Sequence, residues 1–286
     1  MINKVKVVNS YGEELTMTLR EPQNSGYAIT EITGLEPTEV DIKQTQFVSG
    51  RKYKYNAGFH KYREIGFSFL YYEDNCLLMD VEQLRNNLYK YFRTNDKIIL
   101  YFEKDDVQYS IEGYVSKHEA QIWSNACGAK VNVLCPDPWF RKNDIKYLDT
   151  TENEDDNDCK IIYQGDISTG FKLTITTPIS TYSGSELILS AEHVLTGTMR
   201  YFTLNIPNMS TPERLVIDLM SDVITVYTML NNDQSSIINR NGWIDSTTIS
   251  KRQEIPELFP GINLIGLSSE EDLTYAVQYN TLYRGL

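Results

Sequence analysis

Cysteine and histidine are scarce in this chain of 286 residues, which holds four cysteines and three histidines. No two cysteines form a CxxC pair, and no histidine stands at zinc-ligand spacing from Cys76, Cys127, Cys135 or Cys159. These absences argue against the common motifs for structural zinc and for thiol redox chemistry. We expect Cys135 to be a small buried hydrophobic residue, and we expect no metal ion and no cofactor.

Long apolar runs are missing as well. No stretch approaches the roughly 20 apolar residues of a membrane helix, and residues 1–17 lack the apolar run of a signal peptide. We therefore expect no membrane insertion, and synthesis in a cytoplasm, where disulfides are disfavoured. Basic charge is not in excess either: the net charge is −12, which is unfavourable for general binding to nucleic acid.

The familiar catalytic signatures are also absent. The sequence has no GxSxG, HExxH, P-loop or GxGxxG motif, and its three histidines are scattered. We predict that the protein is not an enzyme.

The first half of the sequence favours β-strands with one helix. Residues 65–72 and 129–135 alternate apolar and polar positions, and residues 97–115 suggest a hairpin that turns at Lys104-Asp105-Asp106. Residues 80–92 place apolar side chains at helical spacing behind a capping box formed by Asp80 and Gln83. Pro136 and Pro138 lack amide donors, so the strand before them must stop.

The second half changes in character and charge. Residues 149–159 are acidic and polar, which favours a solvated loop, with calcium binding as a less favoured alternative because the EF-hand spacing is absent. Short predicted strands separated by polar turns follow, a pattern typical of a β-sandwich; they cover residues 170–177, 185–191, 199–206, 214–220, 223–229 and 261–267. Residues 1–140 hold 16 basic and 19 acidic residues, whereas residues 141–286 hold 11 and 20. We predict a domain boundary between residues 140 and 160.

One segment, "GRKYKYNAGFHKYREIGF" (50–67), interleaves basic and aromatic side chains. Three interpretations are open: a platform for nucleic acid, a protein interface, or a long hairpin arm whose charges are merely solvated. The acidic remainder of the chain offers a partner on a neighbouring copy, so head-to-tail ring assembly fits the interface interpretation. The candidate interface arm comprises Arg51, Lys52, Tyr53, Lys54, Tyr55, Phe59, His60, Lys61, Tyr62 and Arg63.

The order of these features resembles the distal tail proteins of phages that infect Gram-positive bacteria, the siphophage-type tail component family. The resemblance covers essentially the full length of the chain. Its strongest carriers are "VLCPDPWF" (133–140) and "LFPGINLI" (258–265), supported by "GYAITEITGLEPTEVDI" (26–42). None of these is a catalytic signature, so the specificity lies in their order and spacing.

The resemblance implies a mainly β fold in two domains. Residues 1–140 would form a ring-forming, tail-tube-like α+β domain with one helix at about 80–92. Residues 141–160 would form an acidic linker, and residues 161–286 a galectin-like β-sandwich. The domain junction would contain Pro136, Pro138, Trp139 and Phe140, with the two aromatic residues packed under it.

The implied function is that of a structural distal tail protein at the tail tip, or baseplate, of a virion made in the host bacterial cytoplasm. Its partners would be itself, as a homohexamer, the tail tube protein and the tail-associated hub protein, without direct nucleic-acid readout. A receptor-binding protein or a host cell-wall glycan would be a further partner. The alternative is a carbohydrate-binding adhesion module that stacks sugars on Tyr182, Tyr201 or Trp243.

Overall fold

Two compact units emerge from the computed structural model of the chain. The structure describes residues 1–46, 53–120, 127–149, 158–182, 184–220, 223–230, 236–245, 255–269 and 273–286. The first unit consists of residues Met1–Asn143 and Tyr283–Leu286, and the second of Asp144–Leu282. No helix within these described ranges has the length and apolar character needed to cross a membrane.

The first unit is built on an antiparallel sheet in the order β2-β1-β7-β8-β9-β6-β3, with the start of β10 also paired to β8. Strands β4 and β5 form a separate two-stranded hairpin. The elements of the first unit are β1 (Ile2–Val8), β2 (Glu14–Thr18), β3 (Tyr27–Thr33), β4 (Val40–Gln46), β5 (Tyr53–His60), β6 (Arg63–Tyr71), α1 (Val81–Tyr91), β7 (Lys97–Lys104), β8 (Val107–Ala120), β9 (Gly128–Cys135) and the start of β10 (Phe140–Asp149).

Local sequence signals in this unit are confirmed by the structure. The Asp80 side chain accepts a hydrogen bond from the Gln83 amide at 2.8 Å, and the Gln83 side chain accepts one from the Asp80 amide at 3.0 Å, which is the predicted capping box. The β7–β8 hairpin turns at Asp105-Asp106, whose φ angles of 51° and 62° suit a tight hairpin turn. Apolar side chains of α1 and of the sheet fill one core.

The second unit contains two antiparallel sheets, in the orders β17-β16-β15-β12-β19 and β11-β18-β13-β14, around a common apolar core. Its elements are β11 (Asp158–Tyr163), β12 (Phe171–Ile175), α2 (Ile179–Tyr182), β13 (Glu186–His193), β14 (Thr198–Asn205), β15 (Glu213–Asp218), β16 (Thr225–Leu230), β17 (Ile238–Asn239), β18 (Gly261–Ser268) and β19 (Tyr275–Tyr283). The mainly β fold is confirmed. The short helix α2 and strands β1, β2, β4, β10, β11, β17 and β19 were not predicted.

Candidate assembly surface

Residues 53–60 of the basic-aromatic segment form β5, which pairs with β4 in a hairpin that we call the arm, whereas residues 63–67 belong to β6 of the main sheet. The two strands pair from Val40 with His60 to Gln46 with Tyr53, and among the described strands they pair only with each other. Arg51 and Lys52 fall outside the described residues, as do the side chains of Tyr53, Lys54, Tyr55 and Phe59. An isolated two-stranded hairpin is marginally stable in water, so an arm of this kind gains most from a partner surface.

His60, Lys61 and Tyr62 lie at the base of the arm and have described side chains. The His60 ring packs edge-on against the Trp139 ring, with centroids 4.6 Å apart. Lys61 forms an ion pair of 3.2 Å with Glu39. Tyr62 is 59% exposed. The base therefore combines a fixed aromatic contact with a solvent-facing tyrosine and a surface charge.

Arg63, the last residue of the candidate arm, lies in the interior. Its Nε donates to the carbonyl oxygen of Pro138 at 2.7 Å, and its Nη1 donates to those of Gly34 and Glu36 at 2.5 and 2.7 Å. Its Nη2 donates to the carbonyl oxygen of Arg284. The planar guanidinium suits this task because it presents several donors in a rigid fork. Arg63 thus ties four chain segments together at the root of the arm.

The surroundings of Arg63 explain why it tolerates burial. It is 2% exposed and its guanidinium lies 4.5 Å from the centroid of the Phe140 ring. Burial lowers the pKa of the Arg63 guanidinium. Gly34 lets the backbone approach closely: its φ is +80°, and an added Cβ would lie 2.0 Å from the carbonyl oxygen of Glu64.

The four candidate junction residues follow directly after β9. Pro136 is exposed, Pro138 is buried and Trp139 is half-buried. Phe140 is fully buried in the core of the first unit, where its ring meets Phe102 edge-on at 5.8 Å. These positions fix the backbone that offers the Pro138 carbonyl to Arg63.

Cys135 ends β9, where the prolines were expected to stop the strand. Its side chain is fully buried and burial raises the pKa of the thiol to about 12. The interpretation of Cys135 as a small buried hydrophobic residue is confirmed. The four cysteines, all in described ranges, are free thiols, and the described residues contain no group of three or more side chains suited to hold a metal ion.

The segment 258–265, which carries part of the sequence resemblance, forms a turn closed by one buried amide. Asn263 is fully buried; its Oδ1 accepts from the Phe259 amide at 2.9 Å, and its Nδ2 donates to the carbonyls of Phe259 and Gly261 at 2.7 and 3.1 Å. His193 Nε2 lies 3.1 Å from the carbonyl oxygen of Pro260. Segments 133–140 and 258–265 therefore both supply scaffolding contacts.

Comparison with known proteins gives a result for structure but not for sequence. No family model and no curated protein matches the chain. Solved structures of similar fold include hub and baseplate proteins of phages. One is the Dit protein of phage SPP1, described as a paradigm of the hub adsorption apparatus in phages that infect Gram-positive bacteria. It aligns with a TM-score of 0.62 and 10% identity over 97% of this chain and 98% of its own.

A second similar structure is that of the phage P2 baseplate in its activated conformation with Ca. It aligns with a TM-score of 0.52 and 11% identity over 98% of each chain. At these identities the likeness establishes a shared fold, and that fold runs through both units of this chain.

Proposed function

We propose that this protein is a structural distal tail protein of a bacteriophage, in which six copies form a ring that joins the tail tube to the tail-tip hub. The observation that carries the proposal is the fold match to SPP1 Dit, which spans nearly the whole of both chains. Because the match covers 97% of this chain, it includes the folds of both units. The role we propose is architectural, not catalytic.

The arm supports self-assembly on physical grounds. Its two strands pair only with each other in the described part of the chain, yet the sequence places tyrosines and basic residues along it. Tyrosine and arginine are enriched at protein interfaces. We propose that the interface is formed by residues 51–62, whereas Arg63 holds the base of the arm within its own subunit.

Partners beyond the ring follow from the same proposal. The ring would sit at the tail tip of the virion, between the tail tube protein and the tail-associated hub protein. The second unit would face outward and carry a receptor-binding protein.

A second candidate function is glycan binding by the second unit. Tyr201 favours it, because its side chain is 53% exposed on β14, the edge strand of its sheet. Trp243 is half-buried and packs against the core, and the Tyr182 side chain lies outside the described residues. A glycan array with the full-length protein and with Tyr201→Ala tests this candidate: binding that depends on Tyr201 supports it, and an array without signal excludes it for the glycans displayed.

The ring is tested by sedimentation of the purified full-length chain. We expect a concentration-dependent species of six times the chain mass of 33.0 kDa. A chain that stays monomeric at every concentration would contradict self-assembly.

A further inference from the structure

A shallow groove lies at the start of α1 and has acidic edges. It is lined by Glu73, Met79, Asp80, Val81, Glu82 and Arg85. The methionine and valine provide apolar surface and the three carboxylates provide negative charge. The Arg85 Nε is buried and has no hydrogen-bond partner in the described part of the chain. A buried donor without a partner is costly, so an occupant that brings an acceptor would stabilise this groove.

The loop beside the groove presents two leucines to solvent. Leu77 is 48% exposed and Leu78 is 93% exposed. Leu78 also has a φ of 54°, an unfavourable conformation for a leucine. The loop is held by the buried Asn75, which donates to the Tyr72 and Met79 carbonyls at 3.0 and 2.8 Å. The exposed leucines therefore belong to a loop that is held in place by hydrogen bonds from a buried side chain.

The charges of this region complement those of the arm. Residues 72–82 contain four acidic and no basic residues, whereas residues 51–62 contain four basic and no acidic residues. The arm also carries aromatic side chains, which can pack against the apolar surface of Met79 and Val81 and against the exposed leucines. Opposite charges of this kind select partners and set orientation at interfaces.

We propose that the groove at the start of α1, with Leu77 and Leu78 beside it, receives the arm of a neighbouring copy of this chain. The inference rests on the proposed ring and names its receiving surface. One arm and one groove per subunit give a head-to-tail contact, which is the kind that closes into a ring.

Charge exchange between the two surfaces tests the pairing. We expect Glu73→Lys/Asp74→Lys and Lys52→Glu/Lys54→Glu each to weaken assembly at least about tenfold, measured as the midpoint concentration in sedimentation. An equimolar mixture of the two variants should assemble again, because each contact then joins two wild-type surfaces or two exchanged ones. If the variants assemble like wild type, or the mixture stays dissociated, the pairing is wrong.

Leu78→Gly separates an interface role from a folding role. Glycine adopts a positive φ without strain, so the variant should fold with undiminished stability while its assembly weakens. Leu195→Gly is the matched control, because Leu195 is 76% exposed and belongs to the second unit; its assembly should equal wild type. Unchanged assembly of Leu78→Gly would overturn the role of the leucines.

Cys76 provides a direct test of contact, since its thiol is exposed in the same loop. We expect Lys54→Cys to form a disulfide with Cys76 of another copy under mild oxidation, and Lys54→Cys/Cys76→Ser to form none. A disulfide within one chain, or no disulfide in a wild-type-like assembly, would overturn the inference while leaving the ring intact. A wild-type chain that never assembles would instead overturn the proposed ring and, with it, the inference.

Discussion

Each of the two units contains a buried hydrogen-bonding side chain, and the two side chains reach partners at different distances along the sequence. Arg63 in the first unit collects four carbonyls from residues 27, 29, 75 and 221 positions away in sequence. Asn263 in the second unit satisfies groups only two and four residues away. The first centre therefore determines how distant segments meet, and the second determines the shape of one turn. The comparison predicts that losing Arg63 has the wider consequences.

Replacement of Arg63 by Met gives the sharpest test of that difference. The variant leaves up to four buried carbonyls without donors, so we expect a loss of about 4 kcal/mol in the free energy of unfolding. Arg63→Lys should recover little, because an ammonium lacks the guanidinium fork. Denaturant titration gives the stability, and limited proteolysis should show early cleavage near the arm and the C-terminus. A loss below about 1 kcal/mol would contradict the central position of Arg63.

Asn263→Ala should be less damaging and more local. It removes a fully buried amide that makes three hydrogen bonds, and we expect a loss of about 2 kcal/mol. Hydrogen exchange should show faster exchange near residues 259–263 and unchanged protection around Arg63. If Asn263→Ala accelerated hydrogen exchange equally in both units, Asn263 would not act as a local centre distinct from Arg63.

Asp80→Ala provides a reference for an exposed local contact. Loss of one half of the capping box should lower the free energy of unfolding by about 1 kcal/mol. Asp80→Asn keeps a side-chain acceptor and should retain most of the stability, as thermal or denaturant unfolding would reveal. If Asp80→Ala lowered the free energy of unfolding as much as Arg63→Met does, burial would not explain why we expect the larger loss at Arg63.

Cys135 is expected to give the smallest effect, visible in alkaline solution. Its pKa is raised to about 12 in the fold, so the unfolded thiol ionises first, and stability is lost as the pH rises from about 9 towards 12. Relative to Cys135→Ala, the free energy of unfolding of the wild type should fall by about 0.8 kcal/mol between pH 7.5 and 9.5. If the free energy of unfolding changed equally with pH in the two proteins, the buried thiol would not contribute to the pH dependence of stability.

The same contrast between local and distant contacts explains what could be predicted from the sequence. The capping box of Asp80 and Gln83, the Asp105-Asp106 turn and the end of β9 at Cys135 each depend on neighbouring residues. The burial of Arg63 depends on carbonyls far away in sequence, and its position in a basic-aromatic run suggested an exposed residue. The acidic groove escaped notice for a different reason: its lining lies within residues 73–85, but carboxylates in a loop and at a helix start are ordinary features of a solvent-exposed surface.

Strand β19 shows a different difficulty. Its inward positions are Tyr275, Val277, Tyr279 and Thr281, all buried, so the alternation of a strand is present in the sequence. Tyrosine and threonine are ambiguous in such a pattern because they also occur on surfaces. Pairing with β12 supplies the burial that composition alone does not indicate.

Electron microscopy of the purified protein at assembling concentrations tests the central claim most directly. The account predicts six-fold rings in which density for residues 53–62 of each subunit lies against its neighbour. Solitary particles, or rings in which this segment contacts only solvent, would contradict it.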